Sequence, residues 1–540
     1  MQRNFNRTLG MLALVAASSC SKDLNQTPSY SANSEVVYRD PAQIEQVLAR
    51  LYATFAISGQ QGPAGQPDIT GIDEGFSNYL RQYWQIQEVT TDEAVIGWND
   101  SGLPELATNR WNANNSFVRA TYDRVFYEIS LCNEFIRQTS DDNLAKRGLS
   151  TDAANTVRTY RAEARVLRAL SYWHAIDLFG GGPFATETDA IGSIPPYKKG
   201  ADMFTYVESE LKAVDTGGLL LKPRAVYARA DQAVCWTLLT KLYLNAKIYT
   251  GTDRSTDALT YANKVLGAGY ALCPNYSWLF LADNDLTSAR NEIIFPIAFD
   301  GIKTQTYGGM TYLVHAPIGG KVVPDSIGIN GGWGGLRTKP ALTSLFPGGA
   351  TGRSDARQRL FFTKGQKSSV DTLSLFNNGY LITKYKNITS MGKPGSDAEI
   401  IDPVTKKNVG GSGNFADTDF PMFRLADVKL MYAEALLRGG SGGTAGTALQ
   451  QVNEVRARSG ATPLTSVQLS DILDERGREL YWEGYRRTDL IRFGKYATGY
   501  NWAFKGGVPA GKDIEATRTI FPIPNTDRVV NPNLPQNPGY

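Results

Sequence analysis

A mainly α fold is predicted by three observations. Stretches with apolar residues at helical spacing recur along the chain and stop at glycine. They pair as helix, turn, helix, at lengths compatible with tetratricopeptide-like units, which bury their apolar faces only by stacking on neighbours. Between them run glycine- and aromatic-rich excursions at 58–84, 97–115, 301–340 and 363–421. Loops of that length are uncommon unless they are functional. The expected architecture is a scaffold of tetratricopeptide-like helix pairs, with long loops and short strands building a ligand-binding face.

The chain opens with an export leader. Arg3 and Arg7 give a positive start, Leu9 to Ala17 is apolar, and the small residues Ala17, Ser18 and Ser19 precede Cys20. The apolar run is too short to span a bilayer, which needs ~20 residues. Residues 1–19 therefore read as a signal peptide. A Cys directly after small residues resembles a bacterial lipobox, although Ala17 stands where Leu is usual. In a lipobox the thiol takes a diacylglycerol, and cleavage leaves Cys20 as an acylated N-terminus. Plain secretion with a free Cys20 is the competing reading. Residues 20–34 are then a lipidated Cys and a polar, flexible tether.

The helices follow in order. The first covers Phe117 to Thr139. The second runs over 152–179, with Asp152 as N-cap and Gly180 as the stop, and Val157, Tyr160, Ala164, Leu167 and Leu170 mark its apolar face. Helices are expected from Ala230 to Thr250 and from Thr256 to Leu266, ending at Gly251 and Gly267. Glu292 to Phe299 and Leu381 to Tyr385 read as short strands that pin the excursions. Leu425 to Leu437 and Ala445 to Ser459 form a pair split by GGSGGTAG. A charged helix from Ile472 to Tyr496 and a proline-punctuated tail close the chain.

Composition excludes several function classes. The formal net charge is +3, and removing Arg3 and Arg7 leaves +1, so no excess charge recommends nucleic acid as partner. Cys132, Cys235 and Cys273 are an odd number after Cys20, which gives no complete disulfide framework. His174 and His315 are the only histidines and stand far apart. No HExxH, CxxC or Cys/His cluster exists, so no catalytic zinc or Cys–His nucleophile is expected. His174, beside Trp173, reads as a packed core residue. No cofactor is expected; Asp283 and Asp285 in LADNDL are the one acid pair considered as a structural metal brace. Glu475, Glu479 and Glu483 recur every fourth residue and are expected on one helix face. Arg478 follows Glu475 by three and Arg487 follows Glu483 by four. Paired acids can hydrolyse glycosides, but an Arg within reach of each lowers its pKa and removes the protonated acid. The expected role is a structural ion network.

The aromatic loops are the functional candidates. A sugar ring has an apolar C–H face that flat Trp and Tyr rings match, and hydroxyl rims that need Arg, Asp or Asn. Trp98 lies in GWNDSG and Trp333 in NGGWGGLR. Flanking glycines remove side-chain cover and leave each ring an open face. Trp84 and Trp111, in less glycine-rich settings, read as plugs onto the core.

Several blocks then carry a family resemblance. The leader with CSKDL, TYDRVFYEISLCNEFI, YRAEARVLRALSYWHAIDLFGGGPF, FRLADVKLMYAEALLRGG, VNEVRARSG, ILDERGRELYWEGYRRTDLIRFGKY and the tail FPIPNTDRVVNPNLPQNPGY occur in order. They resemble the SusD/RagB family of outer-membrane nutrient-uptake lipoproteins across nearly the whole chain. The resemblance implies one globular unit over 35–540, with a tetratricopeptide-rich part at 35–290 and a SusD/RagB part at 291–540. It also implies four helix pairs, a loop-rich ligand face and a partner, a SusC-like TonB-dependent β-barrel transporter in the same outer membrane. In the starch-binding branch of the family, an early-loop Trp and a Trp-Gly-Gly Trp form an arc with a Tyr. Trp98 and Trp333 match these contexts, and Tyr307 or Tyr312 supplies the third ring. Asp73 and Arg81, in DEGFSNYLRQYW, resemble that branch's polar contacts. Asn99 is the nearest amide to the family's Asn, with Ser101 as the other candidate for that position. The function implied is non-catalytic capture of an oligosaccharide, starch or another α-glucan, by a surface-exposed, lipid-anchored outer-membrane protein. Peptide capture by the same scaffold and surface glycoside hydrolysis are the competing readings.

Overall fold

A computed structural model describes residues 34–395 and 413–540. The leader, Cys20 and the tether up to residue 33 lie outside the described residues, as does 396–412 of the last excursion. The first long helix, α1 (Pro41–Ala56), starts where Asp40 accepts from the Ala42 N–H at 3.0 Å and Pro41 fills a position that needs no donor. No expectation above covers it, although Asp-Pro is a readable start. Helix α2 (Tyr79–Glu88) cuts into the excursion read as irregular over 58–84. All ten of its residues are buried, although Tyr79, Leu80, Tyr83 and Trp84 recur at helical spacing against Arg81, Gln82, Gln85 and Glu88, a period that was readable in the sequence.

Helix α3 (Ser116–Gln138) is capped by Asn115. Helix α4 (Thr151–Phe179) is capped by Ser150, whose hydroxyl accepts from the Ala153 N–H; the expected cap, Asp152, lies inside the first turn. It stops at Gly180, with φ of 66°. Helix α5 (Gly200–Thr216) was not anticipated. The expected 230–250 helix is α6 (Gln232–Leu244), interrupted at Asn245 before a short turn, Ala246–Thr250, that ends at Gly251. Helices α7 (Ser255–Leu266), α8 (Gly309–His315), α9 (Leu425–Leu437), α10 (Ala448–Arg458), α11 (Leu469–Leu480) and α12 (Arg486–Arg492) complete the scaffold. Helix stacks on helix: α3 on α4, α4 on α5, α5 on α6, α6 on α7, α7 on α9, and α9 on both α10 and α11. One hydrophobic core runs through residues on both sides of position 290. Trp84 and Trp111 are buried in it, as expected, and donate to the Trp482 carbonyl (2.8 Å) and the Tyr540 hydroxyl (2.7 Å). His174 is also sealed in: Tyr83 stacks on it at 4.4 Å, and burial holds its pKa down at about 3, so the ring is neutral.

The strands are short antiparallel pairs. They are β1 (Ala94–Ile96) with β5 (Leu336–Thr338), β2 (Gly181–Pro183) with β3 (Tyr197–Lys199), β4 (Ile293–Ile297) with β8 (Phe420–Arg424), and β6 (Phe361–Phe362) with β7 (Leu381–Ile382).

The charged C-terminal helix differs most from expectation. It breaks after Leu480: Tyr481 is non-helical and Trp482 takes φ of 63°. That left-handed backbone is held from outside. The Trp482 carbonyl accepts from Trp84 and from the Tyr385 hydroxyl (2.8 Å), and its N–H donates to Glu93 (2.9 Å). Glu483 therefore lies beyond the helix and shares no helix face with Glu475 and Glu479. Arg487 sits 3.6 Å from Asp177 rather than pairing with Glu483. The ion network itself is present and denser than the local spacing suggests. Glu475 meets Arg357, Arg456 and Arg478 at 2.6–2.8 Å, and Glu483 meets Arg424 and Lys384. Glu479 meets Arg357 (2.9 Å), Arg424 (2.6 Å) and Arg458. Burial alone would push Glu479 up; Arg458, Arg424 and Arg357 overcome it and hold the carboxyl at about 2. A carboxylate so held carries no proton to give a leaving group.

Glu128 on α3 is the opposite case and yields a pH prediction. It is buried with no cation in ion-pair range among the described residues, and burial raises its pKa to about 8. The Thr54 hydroxyl has one proton for two acceptors, the Leu51 carbonyl at 2.6 Å and the Glu128 carboxyl. A protonated Glu128 resolves the shortage by donating to Thr54. The folded pKa lies above the unfolded value, so this group's contribution is full below pH ~4.5 and falls as pH rises to about 8. Glu128→Gln, which keeps a donor there, is expected to melt with the wild type at pH 4.5 and above it at pH 8. Parallel thermal melts across that range check the slope. A constant difference would show that Glu128 is ionised throughout.

Candidate functional site: an open aromatic face

The site is assembled by one small sheet. The register of β1 on β5 pairs Ile96 with Leu336, and the Gly97 N–H extends the ladder to the Gly335 carbonyl at 3.0 Å. Trp98 follows β1 by two residues and Trp333 precedes β5 by three, so the pairing brings their rings together. Their centroids are 6.4 Å apart, tilted by 41°. Tyr307 adds a third ring 6.5 Å from Trp333. Trp98 and Trp333 are half-buried, and Tyr307 is 38% exposed.

The loop glycines pack the face rather than merely baring it. A Cβ on Gly335 would overlap the Trp98 indole, and one on Gly332 would overlap the Ile318 carbonyl. The Trp333 loop can therefore lie flat on its support. Its N–H groups at Trp333, Gly334 and Gly335 donate to the carbonyls of His315, Ile318 and Ala316 at 2.8–2.9 Å.

Each ring is backed from below. His315 stacks on Trp333 at 5.0 Å, Tyr312 meets Trp98 edge-on at 6.1 Å, and Phe415 packs on Tyr307 at 5.5 Å. Tyr312 and His315 are three residues apart on α8, so one helix face forms the floor. Burial separates the two tyrosines. Tyr312 is fully buried and has no face to offer a ligand; Tyr307 is the exposed ring. His315 and Phe415 were not anticipated, because α8 lies inside an excursion read as irregular.

The polar candidates cluster beside these rings. The Arg81 guanidinium lies 4.1 Å from the Tyr312 ring, 4.2 Å from Phe76 and 5.8 Å from Trp98. Its hydrogen bonds, to Gln85 and to the Tyr307 carbonyl, are long at 3.4 Å. Burial lowers its pKa to about 10 against the opposing pull of Tyr312, Asp73, Asp100 and Glu74, so it stays charged at neutral pH. Asp73 is exposed and accepts from the Gly75 N–H at 2.9 Å. Its neighbour Glu74 accepts from the Tyr307 N–H at 3.1 Å, which ties the Asp73 turn to the third ring. Asn99 and Ser101 are both exposed on the strand-end loop next to Trp98. Asp283 is engaged elsewhere, accepting from the Ser390 N–H (2.8 Å) and hydroxyl (2.7 Å). Among the described residues, no group of three or more His, Cys, Asp or Glu side chains is placed to hold a metal ion.

The face is open. A cavity of about 550 Å³ near Ile176, Tyr197, Tyr249 and Ile520 shares none of its residues. An open face can seat the middle of a long chain, whereas a closed pocket takes only an end.

Fold and face together define a class: a helical-repeat scaffold that carries an aromatic platform on its loops. The SusD family profile matches residues 291–540. Over the full length of both chains, the protein is 34% identical to the starch-binding protein SusD of Bacteroides thetaiotaomicron. A SusD-like protein of Bacteroides ovatus is 24% identical over 97% of this chain and 96% of its own. The solved surface glycan-binding protein A of Bacteroides thetaiotaomicron, in complex with laminarihexaose, superposes with a TM-score of 0.68 at 17% identity, covering 92% of this chain and 99% of that one. A laminarin binding SusD-like protein does so with a TM-score of 0.65 at 21% identity, over 92% and 99%. The chain belongs to the SusD family.

Proposed function

We propose that this protein is a non-catalytic glycan-binding lipoprotein of the cell surface. It captures an α-glucan by stacking pyranose faces on Trp98, Trp333 and Tyr307. The exposed Asp73 and Asn99 serve the hydroxyl rim, with the nearly buried Arg81 behind them as the cation of the site. The single observation that carries the reading is the grouping of three partly exposed rings, each within 6.5 Å of Trp333 or being Trp333 itself. Tilts of 41° and 55° between successive rings make a curved rather than flat platform, which suits a helically coiled α-glucan. Full-length identity to a starch-binding relative supports the same ligand class. Cys20 carries the lipid that moors the protein to the outer membrane. A SusC-like TonB-dependent transporter receives the ligand, and its TonB link supplies the motive force. The arginines that hold the Glu475 and Glu479 carboxyls below the usual carboxylate range support a role without bond cleavage.

The test is affinity electrophoresis of a soluble form lacking residues 1–20. Its migration should be retarded in a gel containing amylopectin and restored by maltoheptaose. Incubation with amylopectin should release no reducing ends. Equal mobility with and without polysaccharide would refute the ligand assignment, and turnover would refute the non-catalytic role.

A further inference from the structure

The segment 366–378 is fastened to the aromatic face. The fastener is Arg337 on β5, which is fully buried. Its guanidinium donates to the carbonyls of Gly335 (2.8 Å), Asn378 (3.0 Å), Leu373 (2.5 Å) and Leu375 (3.1 Å). No carboxylate of a described residue lies within ion-pair distance of it. A buried cation satisfied by carbonyls alone is a costly arrangement, so what those carbonyls belong to matters. One belongs to the Trp333 loop and three to the segment 366–378. Gly97, next to Trp98, sits in the same junction: a Cβ there would lie 2.5 Å from Arg337 Nη1 and 2.9 Å from the Leu373 carbonyl. Gln366 closes the lobe by donating to the Phe376 and Gly379 carbonyls at 2.8 and 3.2 Å.

This lobe presents apolar side chains. Leu375 is 52% exposed and Phe376 is half-buried. The Phe376 ring rests on bare backbone: a Cβ on Gly319 would lie 2.7 Å from it, and one on Gly334 3.9 Å. Gly335, the next residue, carries the Trp98 indole. Phe376 and Trp98 thus lie on consecutive peptide units of the loop that bears Trp333. We propose that Phe376, flanked by Leu375, is an outer subsite that extends the three-ring platform and selects for glycan length. It would take the C–H face of a further pyranose unit, one that a short oligosaccharide on the three rings does not reach.

The inference rests on the glycan reading, and the experiment separates the two. Titration calorimetry of the soluble form compares maltotriose with maltoheptaose for the wild type, Phe376→Ala and Phe376→Leu. Phe376→Ala is expected to weaken maltoheptaose about fivefold, the range for one aromatic stack, and to leave maltotriose within about twofold. Phe376→Leu, which keeps apolar volume without a flat face, should show a smaller loss confined to the longer sugar. Equal losses for both sugars, or no loss for either, would overturn the subsite and leave the platform standing. A wild type that binds neither sugar would overturn both.

Discussion

A protein carrying Trp98→Ala and Trp333→Ala together is expected to lose glycan affinity by at least about 100-fold, the scale of two central aromatic anchors. The two rings meet from loops that flank different strands, so their effects are not additive: removing either one leaves the other without a flank. Trp333 is the middle ring, between Trp98 and Tyr307, and is expected to show the larger single effect. Both rings are only half-buried, so truncation removes a fraction of the ~3–5 kcal/mol that a core Trp→Ala change costs. The fold should survive, because Tyr312, His315 and the Arg337 clamp remain in place. Trp98→Phe with Trp333→Phe keeps flat faces of smaller area and should retain much of the binding. Gel retardation and calorimetry on variants of matched melting temperature check this. Unchanged retention by the alanine pair would remove these rings from the binding face.

The two tryptophans were legible as candidates because glycine-rich loops around an indole are unusual. Their adjacency was not, since it depends on β1 pairing with β5 across the whole middle of the chain. Nor was the choice between Tyr307 and Tyr312, because it turns on a seven-residue helix hidden in an excursion that lacks helical punctuation. Helices α3, α4, α7 and α9 were readable from period and caps to within a few residues. Helix α2 was missed although its apolar residues Tyr79, Leu80, Tyr83 and Trp84 keep helical spacing, because at ten residues it follows directly on a glycine- and proline-rich run read as one excursion. The break at Tyr481 follows from partners supplied by Trp84, Glu93 and Tyr385, all remote in sequence. Local spacing correctly indicated that Glu475 and Arg478 pair, but it missed Arg357, Arg424 and Arg458, which bring most of the positive charge from other elements.

Arg424→Met is expected to destabilise the protein by about 3–5 kcal/mol at pH 7, the cost of breaking a buried ion pair from one side. Arg424 is fully buried and donates to Glu292 (2.9 Å), Glu479 (2.6 Å) and Glu483 (2.6 and 2.7 Å), and to the Glu479 carbonyl (2.8 Å). Methionine keeps much of the volume but leaves three buried carboxylates facing one another with less positive charge. The network as a whole is not thereby a net stabiliser, because desolvating so many ions is itself unfavourable; only its one-sided disruption is severe. pH distinguishes this electrostatic origin from lost packing. The depressed pKa of Glu479 means that its stabilising contribution is present above pH ~4.5 and is lost as pH falls toward about 2. The deficit of Arg424→Met should therefore be largest near neutrality and shrink as Glu479 protonates. Denaturant unfolding at pH 7 and pH 3 measures it; a deficit that stays constant would assign the loss to the arginine stem instead. The consequence reaches the aromatic face through packed rings. The network anchors the turn at Trp482, Trp482 packs on Trp84 at 5.2 Å, and Trp84 packs on Tyr312, the floor beneath Trp98, at 5.9 Å.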